Sequence, residues 1–485
     1  GSRSCGGGGG GDADVDSGGT KGKTGQTQTE GDEEDQDDEG EEDGEEGEEG
    51  DEASGVYASS TEDSEGDDEG GGDGSGADAV AEVPVVLDLG LYSLKAGFAS
   101  EDLPSVDVLS SLAVIEEDKS GGGGGCVSVW DINYANLLFG RQMFAQHRTQ
   151  PLTAFSRVNA SALGQVNQVA GSSMGGEQQE EDLRTMLTYA LDRLQVDMCD
   201  MTHPVLVGEP VLHSKLARQR LAECLFEEFN FPALHFEPAP VLATYAYGDV
   251  TALVVDIGEA STQVVPVVDG FLIQHACSRV FHISGSACTA AMSPSVRACL
   301  PGACHPVEVE HCTRQAKHKL AFCVESESVY AEGRDDDEFL DELEVVFSNK
   351  AVKLSLGPEL LDAGELFWQP KRVLGDHDES ILSLPELVVQ ALHRCSIDVR
   401  RQLLNNIVLV GAPTETHGFV ERMEAELRGA LPHMQQSVRV QADRFRKYAT
   451  WTGGAVLANM ESFQQRWMSK WEYEENGWID RNAEF

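Results

Sequence analysis

Positive charge is what this chain has least of. Against 84 Asp+Glu it sets only 35 Lys+Arg, a formal net charge of -49 over 485 residues. Phosphate contacts need Lys and Arg, so direct contact with DNA is not expected. No apolar run is long enough to span a bilayer and no signal peptide is visible, so no membrane role is expected either. The chain opens on Gly1 rather than Met, which leaves a targeting signal further upstream an open question. The 11 cysteines are odd in number and irregular in spacing, arguing against a disulfide framework and for reduced thiols in a cytosolic or nuclear setting. Their tightest group, Cys299, Cys304, His311 and Cys312, matches no common zinc spacing. Neither a Gly-x-Ser-x-Gly elbow nor a zinc-protease His pair occurs, and lone histidines such as His235 read as ordinary residues.

The acidity is uneven. Residues 1–80 hold 28 Asp+Glu and 3 Lys+Arg, leaving 56 and 32 for the other 405 residues. With almost no large apolar side chains, that first stretch cannot offset its conformational entropy and is expected to be a disordered acidic, Gly-rich tail. Its plain role is solubility, and its functional alternative is an arm for basic partners such as histones. The body begins near Ala81. A Gly run at Gly121–Gly125 and a Gln/Gly/Ser-rich stretch from Ser161 to Gln179 read as surface insertions.

Through the body, strand and helix signals alternate. Pro204–Glu209 reads as a buried strand, and Ser214–Asn230 as a helix with Leu216, Leu221, Leu225, Phe226 and Phe229 on one face. Thr251–Asp256, Val264–Val268 and Phe271–Gln274 form a meander turning at Asp269-Gly270. Helices are expected over Arg314–Phe322, Leu384–Leu404 and Phe419–Leu431, with a strand pair around Ser348-Asn349 and a strand Asn406–Gly411.

Two segments carry chemistry. Val85–Gly97 and Val254–Thr262 each run as an apolar strand ending in an Asp, then a Gly turn and further strand-like residues. One such motif is a weak signal. Two of them, a domain length apart and facing each other, place a cation between two carboxylates while turn N–H groups wrap phosphates.

At this point the residues resemble the actin family, in five blocks: Asp88–Ser100, His203–Thr262, Asn349–Pro370, Cys395–Pro413 and Tyr448–Asn476. The last is the most specific, with Trp451-Thr452-Gly453-Gly454-Ala455 and Phe463-Gln464-Gln465-Arg466-Trp467-Met468-Ser469-Lys470-Trp471. Within the family, Glu101–Asp107, the acidic turn after Ile115 and Asp131–Asn136 are most similar to the class of actin-related protein 4, the nuclear class of chromatin-remodelling and histone acetyltransferase assemblies.

The resemblance implies an α/β, actin-like two-lobe fold with a nucleotide cleft. It divides the body into a small lobe over 81–250, with insertions near 119–126 and 160–180, a large lobe over 251–447, and a segment 448–485 returning to the small lobe. It further implies ATP with Mg2+ in the cleft. Asp88 and Asp256 fall on the carboxylates that hold the cation through water, Lys95 on the phosphate lysine, and Gly90, Leu91, Tyr92, Gly258 and Glu259 on the two phosphate turns. Lys317, Gly411, Ala412 and Lys447 fall on the nucleoside side, and Tyr245, Leu457, Met460 and Ser462 on a groove for a partner's amphipathic helix.

The departures from the family pattern matter more than the matches. Leu91 and Tyr92 bring bulk into a turn that is small and polar in actin, Glu259-Ala260 replaces an acidic-Gly pair, and Pro413 enters the adenosine loop. His318 stands where actin has a nucleoside-contacting glutamate, and Ala239 and Gln263 stand where the family orients its attacking water. Losing a water-orienting group should cost orders of magnitude in rate, so no catalytic residue is expected. The expected function is a non-polymerising nuclear scaffold, with actin and a remodeller or acetyltransferase helix as partners and ATP as a structural ligand. The competing readings are a cytoplasmic or cytoskeletal actin-related protein of a dynein-activating or ciliary assembly, and a slow ATPase.

Overall fold

The computed structural model describes residues 82–115, 137–139, 152–157, 176–302, 306–336, 339–347, 350–375 and 380–478. All fall within one unit, 76–485. The acidic tail, Gly121–Gly125, Asp131–Asn136, Cys304 and Ser348-Asn349 lie outside the described residues, as does 161–175 of the second expected insertion.

The first half of the body builds a sheet from β1 (Val85–Leu89), β2 (Ser93–Phe98), β3 (Val106–Leu109), then, after a three-stranded sheet of β4 (Ser111–Ile115), β5 (Leu137–Phe139) and β6 (Leu152–Arg157), from β7 (Val205–Glu209) and β8 (Ala233–Pro238). Its helices are α1 (Gly176–Arg193), α2 (Lys215–Glu223) and α3 (Ala239–Ala246). β1 and β2 pair antiparallel, whereas β1, β7 and β8 run parallel. Their buried Val and Leu residues fit a sheet covered on both faces.

The second half repeats this logic. β9 (Ala252–Ile257) pairs antiparallel with β10 (Thr262–Val268), which also takes β11 (Phe271–Leu272) and β12 (Ser278–Val280). Helices α4 (Gly285–Cys299), α5 (Pro306–Leu320) and α6 (Glu327–Arg334) lead to a hairpin of β13 (Asp341–Phe347) and β14 (Lys350–Leu356). After α7 (Glu359–Glu365), α8 (Pro370–Leu374), α9 (Leu384–Arg394) and α10 (Ile397–Leu404), β15 (Ile407–Val410) joins β9 in parallel. Then come α11 (Phe419–Ala430), β16 (Val440–Gln441), α12 (Ala449–Ala458), β17 (Met468–Ser469) and α13 (Lys470–Asn476). β16 extends the second sheet, and β17 pairs with β8 in the first.

The meander appears as expected, with Asp269 at φ 52° and Gly270 at φ 82°, the pair of positive dihedrals that an Asp-Gly hairpin turn requires. Four expectations need correction. Leu384–Leu404 is two helices, because Cys395 turns extended (φ -77°, ψ 157°) and Ser396 starts α10. The Arg314–Phe322 helix begins at Pro306 and ends at Leu320. Residues 176–179 of the second expected insertion already belong to α1. In α2 the assumed apolar face is incomplete: Leu216 is exposed while Leu221, Leu225 and Phe226 are buried.

Between the two sheets cross α3 and α12, α12 resting on β1 and β7 and α3 on β9 and β10. Gly453 permits the crossing, since a Cβ there would sit 1.6 Å from the Leu242 carbonyl oxygen. Trp451, fully buried beside it, donates to the Val86 carbonyl at 3.0 Å.

Candidate functional site: a cleft closed by two strand-turn hairpins

The register of the two hairpins places their carboxylates alike. Asp88 lies opposite Lys95 across β1–β2, and Asp256 lies opposite Gln263 across β9–β10. Each cross-strand neighbour is also the hydrogen-bond partner: Lys95 Nζ reaches Asp88 at 2.6 Å, and Gln263 Nε2 donates to Asp256 at 2.9 Å. The parallel neighbours are Gly208 and Val410, so the strand ends lead directly to Glu209 and Gly411.

Both carboxylates face one cavity of about 650 Å3. Desolvation, and then repulsion from Asp88, push Asp256 up to about 7, although one edge of the side chain stays open to the cavity. Two carboxylates that face one cavity and repel each other favour a cation between them. Among the described residues no group of three or more His, Cys, Asp or Glu could hold a metal ion. Two carboxylates are still enough for Mg2+, which keeps several waters and completes its shell with phosphate oxygens.

The expected cleft residues come together. Asp88, Gly90, Leu91, Tyr92, Lys95, Asp256, Gly258, Glu259, Lys317, Gly411, Ala412 and Lys447 all line this cavity, with Ala239, Gln263 and His318. Gly90 cannot carry a side chain, because a Cβ would meet the Ser93 carbonyl oxygen at 2.8 Å. At Gly411 φ is 94° and a Cβ would lie 2.0 Å from the Ile257 carbonyl oxygen. Lys317 Nζ donates to the Gly285 carbonyl at 2.8 Å and to Thr289 Oγ1 at 2.9 Å. Desolvation and the neighbouring Lys317 and Arg314 charges lower His318 to about 4.

Ala239, the first residue of α3, offers only a methyl group to the cavity. Gln263 is buried and its amide is engaged at both ends, donating to Asp256 at 2.9 Å and accepting the Val211 N–H at 2.7 Å.

Sequence reasoning missed three charged residues of the lining: Glu209, Arg279 and Arg314. Glu209 is buried at the end of β7, bonded by Arg218 Nε at 2.9 Å and His213 Nδ1 at 3.0 Å. Arg279 lies opposite Gln263 in register and donates to Ser261 Oγ at 3.2 Å. Arg314 joins Glu259 at 2.5 Å and Glu310 at 2.6 Å, and its guanidinium lies 4.8 Å from the centre of the Tyr92 ring. Its position one turn before Lys317 on α5 was the available signal.

The groove residues are less uniform. Tyr245 is half-buried and Met460 and Ser462 are exposed, but Leu457 is core, 3% exposed beside Trp451 and Phe463. Leu457 therefore cannot anchor a partner on this surface. Val456, at 42% exposure, is the large apolar side chain that α12 leaves exposed.

A family model described as Actin matches residues 80–482. The chain belongs to the actin family. Its α/β architecture of two hairpin-bearing sheets is an actin-family domain, and the match runs from just before β1 to just after α13. Actin-family proteins generally bind a nucleotide with Mg2+, and the paired carboxylates and glycine turns suit those groups in charge and shape. If loaded, Asp88 and Asp256 would hold the cation and Lys95 and the turns the phosphates.

Proposed function

We propose that this chain is a non-polymerising, actin-related scaffold subunit of a nuclear chromatin-remodelling or histone acetyltransferase complex. It holds an adenine nucleotide with Mg2+ as a structural ligand rather than consuming it. The observation that carries the second half is the state of Gln263: its amide nitrogen is bonded to Asp256 and its oxygen to the Val211 N–H, while Ala239 supplies only a methyl group. Phosphoryl transfer to water depends on positioning and charge stabilisation, so a cleft with these two residues binds better than it turns over. Bound ligand then stabilises the folded state by mass action.

Support for the nuclear class comes from Glu101–Asp107 and the other short segments similar to it, and from the acidic N-terminal composition, which suits basic partners such as histones. The Gly-rich and Ser161–Gln179 insertions fall where actin makes inter-subunit contacts, which favours a protein that does not self-polymerise. Tyr245, Val456 and Met460 offer an aromatic and aliphatic surface for a partner's amphipathic helix. Actin and a remodeller or acetyltransferase subunit are the partners this predicts.

Affinity purification of the tagged chain from nuclear and cytoplasmic extracts, with mass spectrometry of the partners, tests the assignment. Co-purification of actin with remodeller or acetyltransferase subunits supports it. Recovery of only motor or axonemal proteins from the cytoplasm would replace it with a cytoskeletal role. Sustained ADP production from ATP by the purified chain would refute the structural-ligand reading.

A further inference from the structure

A second cavity, of about 660 Å3, opens between α9 and α11 and shares no lining residue with the cleft. Trp368 is the largest apolar side chain lining it, and its ring is held by Phe419 at 5.1 Å and by the Arg422 guanidinium at 5.5 Å. α9 contributes Pro385 and Val389, and α11 contributes Gly429 and Ala430. Ending α11 on two small residues leaves the groove open: a Cβ on Gly429 would meet nothing within 4 Å.

The charges around this groove are not balanced. Glu386 and Glu426 line it, but both are engaged: Glu386 accepts the Ser383 N–H at 2.7 Å, and Glu426 accepts Arg422 Nε at 2.7 Å. His393 and Arg394, in the last turn of α9, line it as well. Arg394 donates to Ser278 Oγ at 3.5 Å, and Arg400 forks onto the His393 and Cys395 carbonyls at 2.8 and 3.0 Å. Among the described residues these two guanidiniums meet hydroxyl and carbonyl oxygens and form no ion pair. The next carboxylate along the chain, Asp398, accepts from Ser396 Oγ at 3.2 Å. A helix C-terminus answers only about half a positive charge, against two guanidiniums here. Unmatched arginines are unexpected in a chain that sets 84 Asp+Glu against 35 Lys+Arg.

We propose that this groove docks an acidic amphipathic helix of a partner protein. Apolar side chains of that helix enter over Trp368, and its Asp or Glu side chains meet Arg394 and Arg400. The mode is helix in groove, with apolar anchors supplying affinity and the cationic end fixing orientation. Neither the nucleotide cleft nor the surface at Tyr245 contributes to this site.

Fluorescence anisotropy of the full chain with three labelled helical peptides tests it. One peptide surrounds a Leu/Phe stripe with Glu, the second carries Lys in place of that Glu, and the third keeps Glu but has Ser in place of the stripe. The net charge of -49 repels any acidic ligand, so a preference for one isolates the local field of the two arginines. Wild type should bind the acidic amphipathic peptide about tenfold or more tighter than either of the others. Gly429→Phe, which fills the open space of the groove, should weaken that binding about tenfold. Arg394→Glu should weaken the acidic peptide and strengthen the basic one, a reversal that loss of folded protein cannot produce. Basic peptide bound as tightly as acidic by wild type would overturn the proposal, as would binding of none of the three. Equal binding of the serine-stripe peptide would overturn it too, leaving a cationic patch without a groove. So would acidic binding that both substitutions leave unchanged, since the peptide would then sit elsewhere.

Discussion

Asp256 concentrates the physics of the cleft in a single residue. Its acid is pushed from 3.8 to about 7 by desolvation and by Asp88. Below about pH 4 it is protonated in the folded and unfolded chain alike, so its relative contribution to stability is then at its best. As pH rises towards 7 the unfolded chain releases the proton and the folded chain keeps it, so stability is lost across that window. A neutral Asp256→Asn variant should therefore be more stable than wild type by about 1–2 kcal/mol at pH 7.5, a figure reduced from the full shift because the side chain opens to the cavity. Chemical denaturation at pH 7.5 and pH 4.5, without nucleotide or divalent cation, checks this. The advantage should shrink at the lower pH, and a variant less stable at both values would mean that the amide's hydrogen bonding outweighs the charge. This residue was legible in the sequence because its signal is local: an apolar strand, an Asp and a Gly turn within one short run. Glu209, Arg279 and Arg314 were not, because only the register and the packing of α5 bring them to the same cavity. Leu457 failed for the opposite reason, since helical spacing alone does not say which side of α12 the first sheet covers.

Among the elements, the helix crossing of α3 and α12 is the most constrained. Gly453→Ala puts a methyl carbon within 1.6 Å of a backbone oxygen, and backbone cannot step aside as a flexible side chain can. Overpacking of this kind costs about 3 kcal/mol or more, and it should shift the relation between the two sheets as well. Gly429, inside α11 with nothing within 4 Å of its would-be Cβ, is the matched control. There, alanine should stabilise by roughly 0.5–1 kcal/mol through helix propensity. Urea denaturation of both variants reads the difference, and a Gly453→Ala protein with an unchanged midpoint would show that the crossing can widen cheaply. Element type was mostly readable from periodicity, whereas element ends were not. The apolar pattern of Leu384–Leu404 continues through Cys395-Ser396, so nothing in its period marks the break. A Ser383/Glu386 capping box starts α9, whereas the second start at Ser396, inside an unbroken pattern, carries no comparable flag.

For the whole molecule, what matters is how the two sheets are kept together around the cleft. Among the described residues, contacts that span it include Tyr92 on Arg314, Gln263 on the Val211 N–H, Arg279 on the Val211 carbonyl, and Lys447 with Tyr448 on Asp107. The last joins β3 of the first sheet to the turn that follows β16 of the second. Burial alone would raise Asp107, but hydrogen bonds from Lys447 and Ser93 outweigh it and hold the acid below its ordinary value. The stabilisation from Asp107 is accordingly present above the usual carboxylate range and lost as pH falls through it. Because the Asp107 side chain is only partly buried, salt screens the contact, and its worth is kinetic more than thermodynamic. Asp107→Asn should release bound nucleotide several-fold faster while leaving the denaturation midpoint within about 0.5 kcal/mol of wild type. High salt should speed release from wild type and have less effect on the variant. Stopped-flow displacement of a fluorescent adenine nucleotide measures both rates. Equal rates in the two proteins would place the resistance to opening in the Tyr92–Arg314 contact and the Gln263 bridge instead.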